Sequence, residues 1–425
     1  MNETAIQHDL LRAAVERMPA DKLSSVRQAA LSQFAASGFP TLRHEDWRYT
    51  SLTPAVERSN AWLLDADSGE QQQRVDTLLP AIDAHWITIA NGVATDIPPQ
   101  LSELGVTVSR LAETAHDASL DTGAAMSSFN AALLRDGLKV AVGSNVQIEK
   151  PVGFLITGDT GPQVQLSQVR IIVEVGAHSH IRLIENYPHA ESPNGFTNTV
   201  LQLRLAAEAR ADYLRLQDCH PEHIQIGRLI ASLDRESTLH YLGLDFGGGL
   251  VRNDVEVDIA GVGADVSLHG LYLAGGRRHI DNHTRVDHRV GPATSTEEFR
   301  GIVNGRARCV FNGKAVVHAG ADGTDAHQAN HNLLLSSQAE VDTKPELEIY
   351  ADDVKCSHGA TVGQLDESAL FYLRSRGLDR EQATRMLTSA FAASILSQLP
   401  IETAREAVAA LLLERLEHLT AGELS

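Results

Sequence analysis

The chain has 425 residues, a length that usually folds as two or three domains around a sizeable core. It carries 36 basic and 55 acidic residues, which gives a formal net charge of −19. Because such a surplus repels nucleic acid phosphates and anionic membrane surfaces, it argues against both as main partners and suits a protein partner.

The N-terminal stretch, MNETAIQHDLLRAAVERMPADK, lacks the basic region and following apolar run of a secretory signal. No later stretch approaches the length of an apolar transmembrane helix. The three cysteines, Cys219, Cys309 and Cys356, are far apart, which argues against a disulfide framework and indicates a reducing compartment. We therefore expect a cytoplasmic protein that binds neither membrane nor nucleic acid.

Residues 1–130 predict a mixed N-terminal region that begins with a helical pair. Apolar residues recur at helical spacing between positions 8 and 36, with Pro19 between the two runs. After them, RHEDWRYTSL and the polar run from Asp65 to Arg74 predict irregular surface structure. A short strand is expected from Trp86 to Ala90.

Residues 131–362 predict a mostly β core of short alternating strands without intervening helices. Glycine-rich or charged turns recur at uneven spacings of about 30 residues. Coils of that size favour a β-solenoid, in which each coil stacks on the last and buries a file of Val, Ile and Leu. A sandwich or barrel remains the alternative, because Asn304-Gly305 and Asn312-Gly313 are suitable hairpin turns.

One strand of this core, HIDNHTRVDH, is unusually polar. His279, Asp281 and His283 alternate along it, so their side chains share one face. Such a face would suit zinc or non-haem iron if it formed the floor of a pocket. We favour the alternative, an exposed polar ladder on the outside of the solenoid.

Residues 363–425 predict a C-terminal helical domain. The run DESALFYLRSR ends at Gly377, and Asp379 with Gln382 has the spacing of a capping box for the next helix. A last helix, from Glu402 to Leu419, has a broad apolar face. That face either packs on the other C-terminal helices or docks a partner.

The segment from Ala351 to Arg376 joins the β core to these helices and contains a Cys-x-His pair. Cys356 and His358 are two residues apart, so on a strand both side chains point the same way. Thiolate and imidazole are ligands that suit iron, zinc and iron–sulfur centres. The pair by itself is also compatible with two ordinary strand residues.

Complete catalytic motifs are missing from the sequence. Gly313-Lys314 lacks the upstream glycine and the hydroxyl residue of a P-loop, so we predict no ATP site in this chain. The sequence contains no G-x-S-x-G, and no cysteine cluster could hold an iron–sulfur centre alone. One soft-ligand pair without a complete site predicts half of a shared site.

The run HIDNHTRVDHRVGPATSTEEFRGIVNGRARCVFNGKAVVHAG and its continuation through residue 395 closely resemble the SufB/SufD family of iron–sulfur cluster assembly proteins. The upstream RHEDWRYTSL and FNAALLRDGLKVAV, together with KCSHGATVG and FYLRSRG, resemble the SufD branch. The resemblance implies a right-handed parallel β-helix, or β-solenoid, between N-terminal and C-terminal helical regions.

The resemblance also implies a non-catalytic scaffold subunit of a SufB–SufC–SufD complex of the SUF system. A SufD-like chain would pair with SufB through the β-helix and share a transient, nascent iron–sulfur cluster with it. It would bind the ABC-type ATPase SufC through its C-terminal helices, and ATP hydrolysis would belong to SufC. The role of a flavin and the formation of a homodimer by the isolated chain stay open.

Residue by residue, the family pattern matches His358 to a cluster ligand at the SufB interface and leaves Cys356 as a weaker candidate. For docking of SufC, the C-terminal helices offer six apolar residues: Phe371, Leu373, Leu387, Phe391, Leu411 and Leu412. Two rivals remain, namely a structural adaptor without a cluster ligand and a polysaccharide-active solenoid enzyme. The latter is normally secreted, which the sequence does not suggest.

Overall fold

The computed structural model describes residues 6–64, 81–114, 120–158, 164–189 and 195–421. The described helices are α1 (His8–Glu16), α2 (Ser24–Ser37), α3 (Thr53–Leu64), α4 (Leu111–Thr114), α5 (Ala125–Ala132), α6 (Glu367–Ser375), α7 (Arg380–Leu396) and α8 (Arg405–Ala421). Single 3-10 turns lie at Glu45–Trp47, Pro99–Leu101 and Glu402–Ala404.

The described strands are β1 (His85–Ala90), β2 (Val93–Asp96), β3 (Val106–Arg110), β4 (Leu138–Val142), β5 (Val152–Thr157), β6 (Gln165–Val175), β7 (His180–Tyr187), β8 (Gly195–Leu205), β9 (Arg210–Gln217), β10 (Ile224–Leu233), β11 (Thr238–Asp245), β12 (Leu250–Ile259), β13 (Asp265–Ala274), β14 (His279–His288), β15 (Thr294–Val303), β16 (Arg308–Val317), β17 (Asp325–Leu334), β18 (Glu340–Ile349) and β19 (Lys355–Gln364).

These strands form two sheets that take alternate strands of the chain. In the described part, one sheet runs β19-β17-β15-β13-β11-β9-β7-β5-β1-β2 and the other runs β18-β16-β14-β12-β10-β8-β6-β4-β3. From β4 onward the neighbours within each sheet are parallel. The predicted parallel β-solenoid is therefore confirmed. Asn304-Gly305 connects two strands of different sheets and Asn312-Gly313 lies within β16, so neither forms the hairpin turn of the alternative fold.

The main core lies inside the solenoid, between the two sheets. Alternate side chains of each strand point inward, as Val251, Val255 and Val257 do on β12. Because neighbouring coils pair in register, residues at equivalent positions stack on one another, as Ile280 does on Cys309. Burial of this continuous apolar file stabilises every coil through its neighbours.

The N-terminal region agrees with the sequence expectations in two places. The predicted helical pair corresponds to α1 and α2, and the predicted short strand corresponds to β1. The run from Asp65 to Arg74 lies outside the described residues. β1, β2 and β3 continue the two sheets before residue 131.

The exposed polar ladder predicted at His279, Asp281 and His283 is wrong. Asp281 is buried and both histidines are half-buried, because the N-terminal segment that follows the Glu45–Trp47 turn covers this outer face. Thr50 Oγ1 donates to Asp281 Oδ2 at 2.5 Å and lies 2.7 Å from His279 Nε2. A segment distant in sequence supplies the cover, so strand periodicity alone could not reveal it.

Arg252 completes this contact between the N-terminal segment and the solenoid. Its guanidinium carbon lies 3.8 Å from the centre of the Trp47 ring, and its Nη1 donates to Asp281 Oδ2 at 2.7 Å. Burial alone would raise the pKa of Asp281, but His283 and Arg252 together lower it well below the usual range. The buried Arg252–Asp281 ion pair, together with Thr50 and Trp47, therefore anchors the N-terminal segment to the solenoid.

The C-terminal helices pack against the outer face of the sheet that contains β11, β13 and β15. Val408, Leu412 and Leu416 of α8 are buried in one cluster with leucines of those strands. The capping box predicted at Asp379 and Gln382 is present at the start of α7. Within the described residues, no helix is both long and apolar enough to span a membrane.

Candidate functional site

β19 is the last strand of its sheet and carries both Cys356 and His358. It pairs in parallel with β17, and the described chain places no strand on its other side. Cys356 and His358 therefore lie on one strand with their side chains on the same face, as their spacing predicted. Cys356 is in register with Ala326, and His358 is in register with Gln328. Ala326 and Gln328 are buried inside the solenoid, so the Cys-His pair lies on the continuation of its inner surface.

At this end of the solenoid the inner surface is uncovered. Gln328 is 4% exposed, whereas His358, one strand further on, is exposed, and Cys356 is half-buried. The side chains from Ser357 to Gln364 are all exposed. We call this surface, formed by the inner faces of β18 and β19, the open end.

The two candidate ligands differ in their electrostatic setting. Partial burial raises the pKa of the Cys356 thiol, the backbone of Ala326 lowers it and the nearby Asp325 raises it further. A raised pKa reduces the thiolate fraction at neutral pH, and the thiolate is the form that binds metal. An imidazole such as that of His358 binds metal through a ring nitrogen in its neutral form, so it does not have to become an anion first. The imidazole is therefore the better placed ligand of the two.

Two further histidines lie close to the open end but on the opposite face of the sheet. His327 Nδ1 is 2.6 Å from Ser357 Oγ, and His331 Nδ1 is 2.9 Å from Thr361 Oγ1. Strand alternation separates them from His358. Among the residues that the structure describes, no three His, Cys, Asp or Glu side chains converge as a metal site.

The six apolar residues predicted to dock a partner divide into two sets. Leu412 is buried, and Phe391 and Leu411 pack against the same cluster on the flank of the solenoid. The sequence left two alternatives for the apolar face of the last helix, packing on the other C-terminal helices or docking of a partner. In the structure this face packs on α7 and also on the flank of the solenoid. Leu373 and Leu387 are half-buried, and Phe371 is 74% exposed.

Two exposed aromatic side chains lie on α6, which follows β19, whereas the exposed Met386 and Leu413 lie on α7 and α8. Phe371 is accompanied by Tyr372, which is 56% exposed. Asp366 caps this helix by accepting a hydrogen bond from the Ser368 backbone, and Leu370 is its buried anchor. Adjacent exposed aromatic residues on an anchored helix form a typical contact surface for another protein. We call Phe371 and Tyr372 the α6 aromatic pair.

Polar bonds fix the C-terminal helices to the solenoid. Arg415 of α8 makes two hydrogen bonds to the Asp218 carboxylate, at 2.8 and 2.7 Å, and both side chains are largely buried. Arg300 Nη1 donates to the carbonyl of Phe391 at 3.0 Å. Deleting the helices would expose the leucines of the sheet below them, so point changes are the appropriate probe of this region.

Sequence comparisons identify the class of protein to which this chain belongs. The model of the SUF system FeS cluster assembly SufBD core domain matches residues 154–391, and the model of the SufBD protein N-terminal region matches residues 8–154. The chain belongs to the SufBD family of iron–sulfur cluster assembly proteins.

Within this family, named relatives confirm the resemblance to the SufD branch. The iron–sulfur cluster assembly protein SufD of Escherichia coli K12 is 30% identical over 403 residues, which cover 93% of both chains. SufD of Bacillus subtilis is 28% identical over 281 residues, covering 65% of this chain and 63% of that protein. A SufBD family protein of Synechocystis is 26% identical over 427 residues and 94% of both chains.

Proposed function

We propose that this chain is a SufD-like scaffold subunit that pairs with SufB at the open end. There it contributes His358 to a nascent iron–sulfur cluster, and it binds the ATPase SufC through α6. The observation that carries the proposal is the uncovered inner surface of β19, which presents His358 where a further coil would otherwise pack. Family membership supports the role in cluster assembly.

The two edge strands of the open end differ in how well they suit pairing. β18, EVDTKPELEI, carries alternating charges and Pro345, which are common devices against unwanted strand pairing. β19 contains no charged side chain and no proline from Cys356 to Gln364. Nine consecutive residues of edge strand without such protection invite a partner that adds a strand or a covering surface. In the absence of SufB, the same edge suits a second copy of this chain.

A partner that covers the open end would turn His358 from an exposed side chain into an interface side chain. A neutral imidazole can then bind iron without burying a permanent charge. The remaining ligands would come from the partner, and Cys356 is the weaker candidate from this chain. The cluster is cargo in this scheme, held during assembly and passed on.

Docking of SufC at the α6 aromatic pair is supported by position as well as by exposure. Only Leu365 and Asp366 separate the end of β19 from the start of α6. A partner bound at α6 is therefore joined to the cluster edge by a very short connection. ATP hydrolysis belongs to SufC in this scheme, and this chain acts as a non-catalytic scaffold in the cytoplasm. The second candidate, a structural adaptor, shares every feature except the ligand role of His358.

Replacing His358 with Ala tests the ligand role. We expect the SufB–SufC–SufD assembly to stay intact, because the side chain is exposed in this chain and fills no core. Iron and acid-labile sulfide retained after anaerobic reconstitution should fall by at least about half, since one ligand is lost from a shared site. Cys356→Ala should have a smaller effect.

The matched control is His327→Ala, which removes an exposed histidine from the outer face of the neighbouring strand. It should leave iron and sulfide unchanged. Equal cluster loading in the wild-type and His358→Ala complexes would contradict the ligand role and favour the structural adaptor.

A further inference from the structure

The inside of the solenoid is polar along part of its length. Buried charged and amide side chains point inward on successive coils between β9 and β17. We call this set the interior polar file; its members are Arg215, Asp245, Asn253, Asn282, Glu297 and Gln328.

Hydrogen bonds connect the deeper members of the file from coil to coil. Arg215 Nη1 donates to Asp245 Oδ1 at 2.6 Å. Asn253 Nδ2 donates to Asp245 Oδ2 at 3.0 Å and to Asn282 Oδ1 at 2.8 Å. The file therefore continues across three coils and both sheets without an apolar interruption.

The members nearer the open end continue the series. Thr284 shares the inner face of β14 with Asn282 and interacts with the Glu297 carboxyl. Gln328 Nε2 donates to Glu297 Oε1 at 3.3 Å. Glu297 is in register with Gln328, and Gln328 is in register with His358. The three side chains thus occupy neighbouring strands of one inner surface and lead to the open end.

Several polar atoms of the file have no protein partner although they are fully buried. They are Asn253 Oδ1, Asn282 Nδ2, Glu297 Oε2 and Gln328 Oε1. Buried polar atoms in proteins nearly always meet a hydrogen-bond partner, and ordered water supplies it where protein groups do not. We therefore expect ordered water beside these atoms.

Two glycines leave space beside these atoms. A Cβ at Gly313 would lie 2.2 Å from Gln328 Nε2, and a Cβ at Gly227 would lie 2.9 Å from Gln225 Nε2 and 3.3 Å from Asn253 Oδ1. Any side chain at these inward positions would displace the amides. The glycines therefore preserve the polar file, which supports a built feature over a packing defect.

We propose that the interior polar file is a hydrated proton path that opens beside His358, with Glu297 as the buried group that accepts and returns protons. Its role in cluster assembly rests on the proposed function of the open end. Once a partner covers that end, protons displaced there lose direct access to bulk water. The file offers them a route and a nearby acceptor.

Glu297 suits this task because it changes charge near neutral pH. Burial raises its pKa to about 7, while Thr284 and Gln328 favour the carboxylate and limit the rise. Both of its protonation states are therefore populated at physiological pH.

The titratable neighbours on the same inner surface stay uncharged under these conditions. Burial raises the pKa of Tyr272 and of Cys309, and it lowers the pKa of His288 to about 4. Asp245 lies deeper in the file and is paired with Arg215. Proton exchange at Glu297 is thus not masked by these groups.

The proton balance is simple. A thiol or hydrosulfide that binds iron at the open end loses its S–H bond, and the electron pair stays on sulfur to bind the metal. The proton moves along ordered water to the Glu297 carboxylate and forms a neutral carboxylic acid. When the partner leaves, bulk water reaches the open end again, and Glu297 releases the proton by the same path to that water.

Time-resolved infrared spectroscopy of the isolated full-length chain tests the path without iron or partner. At a pH one unit below the pKa of Glu297, the protonated carboxyl band should be present in the wild type and absent in Glu297→Gln. After rapid mixing into heavy water, the rate at which this band shifts reports exchange of the Glu297 proton.

Two substitutions test whether the Glu297 proton exchanges through the open end or through the deeper part of the file. Gln328→Leu removes the amide between Glu297 and the open end and should slow the exchange at least tenfold. Asn253→Leu removes an amide on the deeper side and should leave the rate unchanged. If Gln328→Leu does not fold, Gln328→Met, which keeps the length of the side chain, takes its place with the same expectation.

Equal exchange rates in all three proteins would overturn the proposal, as would a carboxyl band that persists in Glu297→Gln. Because these measurements need no cluster, their failure leaves the ligand role of His358 untouched. Conversely, unchanged cluster loading in His358→Ala would leave the exchange result standing.

Discussion

The two ends of the solenoid are finished in different ways. At the N-terminal end, the sheets stop at β2 and β3, short strands that run antiparallel to their neighbours. Leu101, in the turn between them, is 1% exposed and belongs to the main core. At the other end, β18 and β19 are ten-residue parallel strands: the inner residues of β18 are mostly half-buried, and those of β19 are exposed from His358 onward.

This difference indicates where the molecule is complete by itself and where it needs a partner. Repeat proteins require a cap at each end, because an uncovered terminal coil exposes both apolar surface and unpaired backbone groups. The N-terminal end has its cap within the chain. The open end lacks one among the described residues, and a second protein is the expected cap.

An aspartate introduced at each end gives the largest contrast. Leu101→Asp places a charge in the core and should lower the free energy of unfolding by about 4 kcal/mol or more. Val362→Asp changes a side chain that is 47% exposed on the inner face of β19, so the isolated chain should keep its stability. Thermal unfolding of both variants measures these effects.

Val362→Asp should leave stability unchanged but weaken binding to SufB. Covering the new carboxylate costs about 3 kcal/mol, which corresponds to roughly a 100-fold weaker affinity. Thr361→Asp is the matched control, because this exposed neighbour points to the outer face. Equal loss of affinity in both variants would show that the inner surface is not the contact.

Stability near the open end should depend on pH through Glu297. Its pKa in the folded protein is about 7 against an ordinary value of 4.5, so the folded state binds more protons between these values. The stability it contributes is therefore present below pH 4.5 and is lost as pH rises to about 7. The loss amounts to about 3 kcal/mol.

Glu297→Gln should remove this dependence, because an amide does not ionise. In urea unfolding, the free energy of unfolding of the variant should rise relative to that of the wild type by up to about 3 kcal/mol between pH 5 and pH 8. Glu298→Gln, which changes the adjacent outward-facing carboxylate, should leave the wild-type dependence in place. A parallel pH profile for wild type and Glu297→Gln would refute the assignment.

A smaller effect is expected at the second exposed surface near the open end. Replacing both members of the α6 aromatic pair with Ala should weaken binding of SufC about tenfold, because aromatic side chains dominate such contacts. Calorimetric titration with SufC measures it. Leu42→Ala, at an exposed leucine of the N-terminal region, is the control and should bind normally.

Local patterns in the sequence predicted the main architecture well. Strand alternation and recurring turns indicated the solenoid, and the spacing of Asp379 and Gln382 gave the start of α7. The Cys356-x-His358 spacing correctly predicted that both side chains share one face of a strand. These features depend on neighbours in sequence, which is why they could be recognised.

Features that depend on distant contacts could not be predicted. The outer face of β14 was expected to be exposed, but Thr50 and Trp47 cover it from more than 200 positions away. Inward polar residues such as Glu297 and Gln328 were also missed, because alternation normally assigns the polar side chain to the outside. The runs TEEF and HQANHN, polar at successive positions, were the available signal.

The contact of Thr50 with Asp281 also orders events during biosynthesis. The two residues are 231 positions apart, whereas each solenoid coil touches mainly the coil before it. Coils can therefore stack one by one as the ribosome releases them. The segment around Trp47 can form its contact with β14 only after β14 has been synthesised. A segment translated well before β14 thus reaches its final contacts only after β14 is made.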